Sequence, residues 1–232
     1  MKNKTIIFNI ILFILVAIGD IAYTISECLG NNFVTIKAIT SALFVIIGAI
    51  NICSLKTNGG DLRFAAILLT GLTFAFLGDV MLEIHFIMGA ALFAIGHIFY
   101  FVSYLTLIKF KWTDLIVGSL IFIPVTLLIL FAPFFTFDSI LMQIVCIVYT
   151  IIISLMVGKA ITNLIHEKNV LNVLLVVGSL LFMFSDLMLL LNKFGTMNRI
   201  AGIILCLGTY YPAQCILAYS INHAKNNIQT NN

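Results

Sequence analysis

Apolar runs of about 20 residues, long enough to cross a hydrocarbon core of about 30 Å as a helix, alternate along this chain with short polar clusters. They predict spans near 5–26, 33–54, 62–83, 88–108, 113–132, 138–159, 170–191 and 199–221. The clusters between them are "ECLGNN", "KTNGGDLR", "EIH", "KFKW", "APFFTFD", "ITNLIHEKN" and "NKFGTMNR". Most carry the Gly, Asn, Asp or charge expected where a helix leaves lipid. The third, around His85, is the weakest break. The pattern predicts an all-α polytopic transmembrane bundle with about eight spans. It leaves no room for a soluble domain, so residues 1–222 read as one transmembrane unit and 223–232, "HAKNNIQTNN", as a polar, disordered tail.

Composition agrees. Hydrophobic residues make up 62% of the chain and charged residues 9%, with a mean hydropathy of +1.18, far from soluble domains. The basic start "MKNK" has the look of a signal peptide, but the run continues past Ala17 and holds Asp20, which favours a retained first helix. With the N-terminus cytoplasmic, that side collects nine of the twelve Lys and Arg residues, leaving Lys37, Lys193 and Arg199 opposite. By the positive-inside rule both termini are expected in the cytoplasm. A bacterial inner membrane suits the compact chain. The net charge of +3 follows from those cytoplasmic lysines and implies no nucleic-acid partner.

Orientation brings the ionisable residues of the spans to one level. Asp20, Asp79 and Asp186 each fall within about two turns of the outer end of helices 1, 3 and 7, and Lys37 lies near the outer start of helix 2. A charge alone in lipid is expensive, so these side chains are expected to face one another across a wet, protein-lined cavity. Asp79 and Asp186 are the functional candidates. Asp20 and Glu83 are expected to snorkel to the headgroups. The plainer reading of Lys37 is a neutralising ion pair with one aspartate that only fixes packing.

Helix 4 carries Gly89, Phe93, His97, Tyr100 and Tyr104 on one face by three- and four-residue spacing. In "TYYPAQ" of helix 8, Tyr210 and Gln214 stand four apart, with Pro212 expected to loosen the turn between them. Phe93 and Tyr104 read as packing, whereas a buried His or Gln needs hydrogen-bond partners. The pairing of helix 3 with helix 4 is faintly echoed by helix 7 with helix 8, a kind of repeat that also occurs in transporters. The five cysteines have no CxxC spacing and no HExxH is present, so no metal is expected. No GxSxG elbow, P-loop or dinucleotide fingerprint occurs, and no cofactor is expected.

The ordered set Lys37, Gly78-Asp79 with Leu82, Gly89 with Phe93, "GHIFY" (96–100), "FMFSD" (182–186), Phe194 and "TYYPAQ" (209–214) resembles the YhhN-like lysoplasmalogenase family across helices 2 to 8. Ala38 stands where the family often has proline, which bears on the helix 2 entrance more than on the chemistry. The resemblance implies an eight-helix membrane enzyme that hydrolyses the vinyl ether bond of lysoplasmalogens. Its products are a fatty aldehyde and glycerophosphoethanolamine or glycerophosphocholine. The expected partners are then a lysophospholipid substrate and the surrounding membrane lipids.

Vinyl ethers hydrolyse through protonation on carbon to an oxocarbenium ion that water captures. That chemistry calls for one carboxylic acid and a second carboxylate, much as in glycosidases. Asp79 and Asp186 are the expected pair, with the individual roles open. Lys37 either tunes the carboxylates or binds the lipid phosphate. His97, Tyr100, Tyr210 and Gln214 are expected to orient water or glycerol oxygens, with His97 offset from Asp79 by ~6 Å along the normal. The rival reading is a proton-coupled transporter or a lipid-translocating protein, using the aspartates as protonation sites. A lipid-binding protein that has lost the reaction is the third.

Overall fold

The computed structural model describes residues 2–31, 33–57 and 59–224, with side chains from Thr5 onward. It contains eight helices: α1 (Lys2–Cys28), α2 (Val34–Thr57), α3 (Leu62–Ile84), α4 (Phe86–Leu107), α5 (Trp112–Phe131), α6 (Ile140–His166), α7 (Val170–Phe194) and α8 (Arg199–Ser220). All eight are long and apolar enough to cross a membrane, and the protein has the architecture of an integral membrane protein. A 3-10 turn (Ile221–His223) follows α8, and the carbonyl of Ala224 accepts from the Asp61 amide at 3.2 Å. Most of the polar tail expected from 223 onward lies outside the described residues.

The polar breaks act as caps. Asp61 accepts from the amides of Arg63 and Phe64, Ser139 from Met142, Asn169 from Asn172 and Asn198 from Ala201. Each thereby satisfies amide groups that a helix start leaves without partners. The weak break is real and very short. His85 alone joins α3 to α4, its amide closing the first helix on Met81 while its Nδ1 accepts from Met88 to open the second.

One boundary departs from the sequence expectation. Helix α6 runs on to His166, seven residues beyond the expected end, because the polar residues there turn inward and not toward water. Lys159 donates to Asp114 at 2.9 Å and to the Lys109 carbonyl at 3.1 Å, Thr162 donates to Asp114, and Asn163 donates to the Tyr104 carbonyl. A polar side chain with an interior partner does not end a membrane helix. Lys159 is therefore a buried charge, not a cytoplasmic marker. With Lys37 also buried, the remaining basic residues divide eight to two between the two sides of the expected topology.

Lipid supplies little hydrophobic drive between helices, so association rests on close packing and interhelical hydrogen bonds. The two most extensive helix pairs are α3 with α4 and α7 with α8. In the first, a Cβ on Gly71 would lie 2.5 Å from the Tyr100 ring, so only glycine admits that ring. The α5–α6 crossing is as tight, a Cβ on Gly158 falling 2.7 Å from the Gly118 nitrogen. Buried Asn9 and Asn51 join α1 to α2 at 2.9 Å, and Asn51 also reaches the Ala218 carbonyl. Isoleucine and leucine line the outward faces of α1 and α5, where lipid is their natural neighbour.

Replacing Lys159 with Met should strand Asp114 as a buried unpaired charge and cost roughly 3–5 kcal/mol of stability. Chemical denaturation in detergent is the measurement. Lys159→Met with Asp114→Asn together should recover a good part of the loss.

Candidate active site

Helices α1, α2, α3, α4, α7 and α8 converge at one end of the bundle on a polar cavity of about 110 Å³. Asp79 and Asp186 both line it, as do Lys37, Glu27, Glu83 and Tyr210. Three of the four ionisable residues expected to face one another, Lys37, Asp79 and Asp186, thus line one cavity. Asp20 does not join it: half-buried on α1, it accepts from Thr24 one turn away.

Asp79 is almost fully enclosed. Its Oδ2 accepts from Ser41 Oγ and from Tyr210 Oη, each at 2.6 Å, and its Oδ1 lies 3.9 Å from Lys37 Nζ. Gly78 lets the Phe93 ring press against α3, since a Cβ there would meet the ring at 3.0 Å. Phe93 in turn packs edge to face against Tyr210 and Phe182, so the Tyr210 hydroxyl is held by aromatic walls.

Lys37 does not face the aspartate alone. Its ammonium sits 2.5 Å from Glu83 Oε1, which also accepts from Tyr23 Oη at 2.9 Å. The Glu83 side chain is only 14% exposed, a departure from the snorkelling expected of it. The reason is local: a buried ammonium and a phenol within reach stabilise the carboxylate better than the headgroup region would. Glu27, at the mouth, accepts from Arg199. With Glu83 and Asp79 around it and its own side chain 5% exposed, Lys37 is placed to set the charge of the carboxylates.

Asp186 has a different neighbourhood. Its Oδ2 accepts from Tyr149 Oη at 2.6 Å and lies 3.3 Å from His97 Nε2, and that nitrogen is 2.8 Å from the Tyr149 oxygen. His97, Tyr149 and Asp186 thus form one triangle of hydrogen-bonding groups across α4, α6 and α7. His97 thus bonds to Asp186, the other aspartate of the expected pair.

The remaining residues divide. Tyr210 belongs to the cavity, whereas Tyr100 donates to Gln214 Oε1 at 2.8 Å and both are completely buried, a link between α4 and α8 behind the cavity wall. Tyr104 bonds Ser179, as a packing residue would. Phe93 is more than packing, because it lines the polar cavity and the apolar one beside it.

That second cavity, about 160 Å³, is walled by α3 to α7 with residues such as Phe86, Val125, Cys146 and Leu190. It shares Leu82, Phe93, Asp186 and Leu189 with the polar cavity. Asp186 is the one ionisable residue common to both. Ser41, Tyr149 and Tyr23 were not legible as site residues in the sequence, although Tyr149 is a solitary phenol within the apolar run "CIVYTIII". Among the described residues, no group of three or more His, Cys, Asp or Glu side chains is gathered as a metal site.

The model of the YhhN family matches residues 35–221, from the start of α2 to the end of α8. The chain belongs to the YhhN family. Comparison with curated proteins and with solved structures returns no match. The matched segment holds Lys37, Glu83, both aspartates, His97, Tyr149 and Tyr210, and leaves out only the α1 contributions of Tyr23 and Glu27.

The Lys37 cluster generates a stability prediction. Lys37→Met leaves Glu83 and Asp79 facing each other without a cation and should cost roughly 3–5 kcal/mol, read from thermal or chemical melts in detergent. Adding Glu83→Gln should restore much of it, and no restoration would mean that the ion pair is not what the substitution breaks.

Proposed function

We propose that this YhhN-family protein is a membrane-embedded hydrolase that cleaves the vinyl ether bond of a lysoplasmalogen, releasing a fatty aldehyde and a glycerophospho-base. The observation that carries this reading is the position of Asp186 at the join of a polar and an apolar cavity. An amphiphile with its head in one and its chain in the other has its head-to-chain bond beside that carboxyl. In a lysoplasmalogen that bond is the vinyl ether.

The reaction then divides between the two carboxyl groups. Asp186, as the acid, gives its proton to the outer carbon of the vinyl ether, and the ether oxygen shares the resulting positive charge. Asp79, held by Ser41 and Tyr210 beside Lys37, stabilises the oxocarbenium ion electrostatically. Water adds to the cationic carbon and returns a proton to the carboxylate. The hemiacetal collapses to aldehyde and alcohol. No metal or organic cofactor takes part in this scheme.

Lys37 acts on the carboxylates in this reading, and its close pairing with Glu83 argues against a role as phosphate ligand. With both termini cytoplasmic, the polar cavity faces the outer leaflet, as for an enzyme of a bacterial inner membrane. Transport is the weaker reading. Helices α5 and α8 continue through Pro124 and Pro212, whereas many carriers break helices at their sites.

Purified protein in detergent should release aldehyde from a vinyl-ether lysolipid and none from its saturated alkyl-ether analogue. Asp79→Asn and Asp186→Asn should each lower kcat by about 10²-fold or more, the range lost with an acid–base group. Near-normal turnover in either folded variant would remove that aspartate from the mechanism, and no aldehyde from folded wild-type protein would overturn the proposed activity.

A further inference from the structure

The apolar cavity is walled by helices that do not all meet. Val125 of α5 and Met183, Phe184 and Leu187 of α7 line it together, yet the backbone of α5 comes close to that of α6 alone among the helices and makes no close approach to α7. Phe184 is also 40% exposed on the outer surface of the bundle, at a depth where the neighbouring medium is hydrocarbon. The wall between α5 and α7 is therefore made of side chains only.

Toward the nearer end of the bundle, the way in is covered. The α5–α6 connection folds over α7, where the Thr136 amide donates to the Phe194 carbonyl at 2.8 Å and the Phe137 ring lies 5.0 Å from that of Phe194. Phe86 packs on Phe194 from the α4 side at 5.6 Å. An aromatic plug thus separates the cavity from the water at that end, and the polar cavity meets it only through Leu82, Phe93, Asp186 and Leu189.

We propose that the apolar cavity opens sideways into the membrane between α5 and α7 and takes up one hydrocarbon chain of a single-chain membrane amphiphile. The chain enters from the lipid phase and does not pass through water. On size the cavity takes a stretch of one chain, since an apolar cavity of about 150 Å³ holds a single benzene-sized molecule, and the rest of the chain would extend through the opening into lipid. A second chain has no comparable space beside the first. The inference deepens the hydrolase reading, because it concerns the same site, but it is tested without any hydrolysis.

The experiment uses the full chain in phospholipid vesicles with a saturated alkyl-ether lysolipid that carries a diazirine midway along its chain. After photolysis, mass spectrometry maps the insertion sites. Insertion should concentrate on the facing walls of α6 and α7, around Val145, Cys146, Met183 and Leu187, and an excess of unlabelled lysolipid should reduce it at least tenfold. Val125→Trp, which narrows the opening from α5, should reduce insertion at Cys146 by a similar factor in protein whose melting curve is unchanged. Phe184→Ala, which widens it, should leave insertion intact or raise it.

Insertion spread over the lipid-facing sides of all helices, without competition, would mean annular lipid only and would overturn the proposal. So would undiminished insertion at Cys146 in folded Val125→Trp, which would place the entrance elsewhere. Because the probe has no vinyl ether, a protein that binds it as described yet releases no aldehyde from the natural bond would refute the proposed reaction and leave the chain site standing.

Discussion

The placement of one ammonium among several carboxylates is the constraint from which the organisation of this bundle follows. Lys37 is the single cation lining a cavity that also presents Glu27, Asp79, Glu83 and Asp186. Several like charges in a membrane interior are tolerable only when a cation, hydroxyl donors and some water share the space. The residues that meet this demand beside Lys37 come from α1, α2 and α8, with Tyr23, Ser41 and Tyr210 all turned inward as donors. The same requirement that makes the site chemically capable thus draws the helices of that end together.

Much of this was readable from the residues alone, because the bilayer makes sequence patterns strict. Span length, polar caps and the common depth of Lys37, Asp79 and Asp186 follow from hydrocarbon thickness and helix rise. What could not be read was which polar residues turn toward each other. Lys159 looked like a cytoplasmic charge until Asp114, on the preceding helix, was seen to bury it. Glu83 looked like a headgroup anchor until Lys37 claimed it. Pairings between helices distant in sequence leave no periodic trace, and Tyr149, 37 residues from Asp186, is the clearest case.

The family match and the geometry contribute different things. The match covers α2 to α8 and says what kind of chain this is. The two cavities, one polar and one apolar, suggest an amphiphile, and they do so from shape and lining alone. The two spaces meet at Asp186, beside Phe93, whose ring is backed by Phe182 and, through it, His97.

One contact at each aspartate crosses between the two closely packed helix pairs. Asp79, on the α3–α4 hairpin, is held by Tyr210 from the α7–α8 hairpin, and Asp186, on α7, is approached by His97 from α4. Each hairpin therefore carries one of the two aspartates and supplies a partner for the other's. Since His85 alone links α3 to α4, that hairpin has little freedom to flex internally, and relative displacement would occur along the seam between the two. Parting them by the length of a hydrogen bond would cost Asp79 its Tyr210 donor and Asp186 its His97 neighbour at once, while Ser41 and Tyr149 stayed in place. The surroundings of the two aspartates are thereby coupled across one seam, and a shift of either hairpin is felt at both.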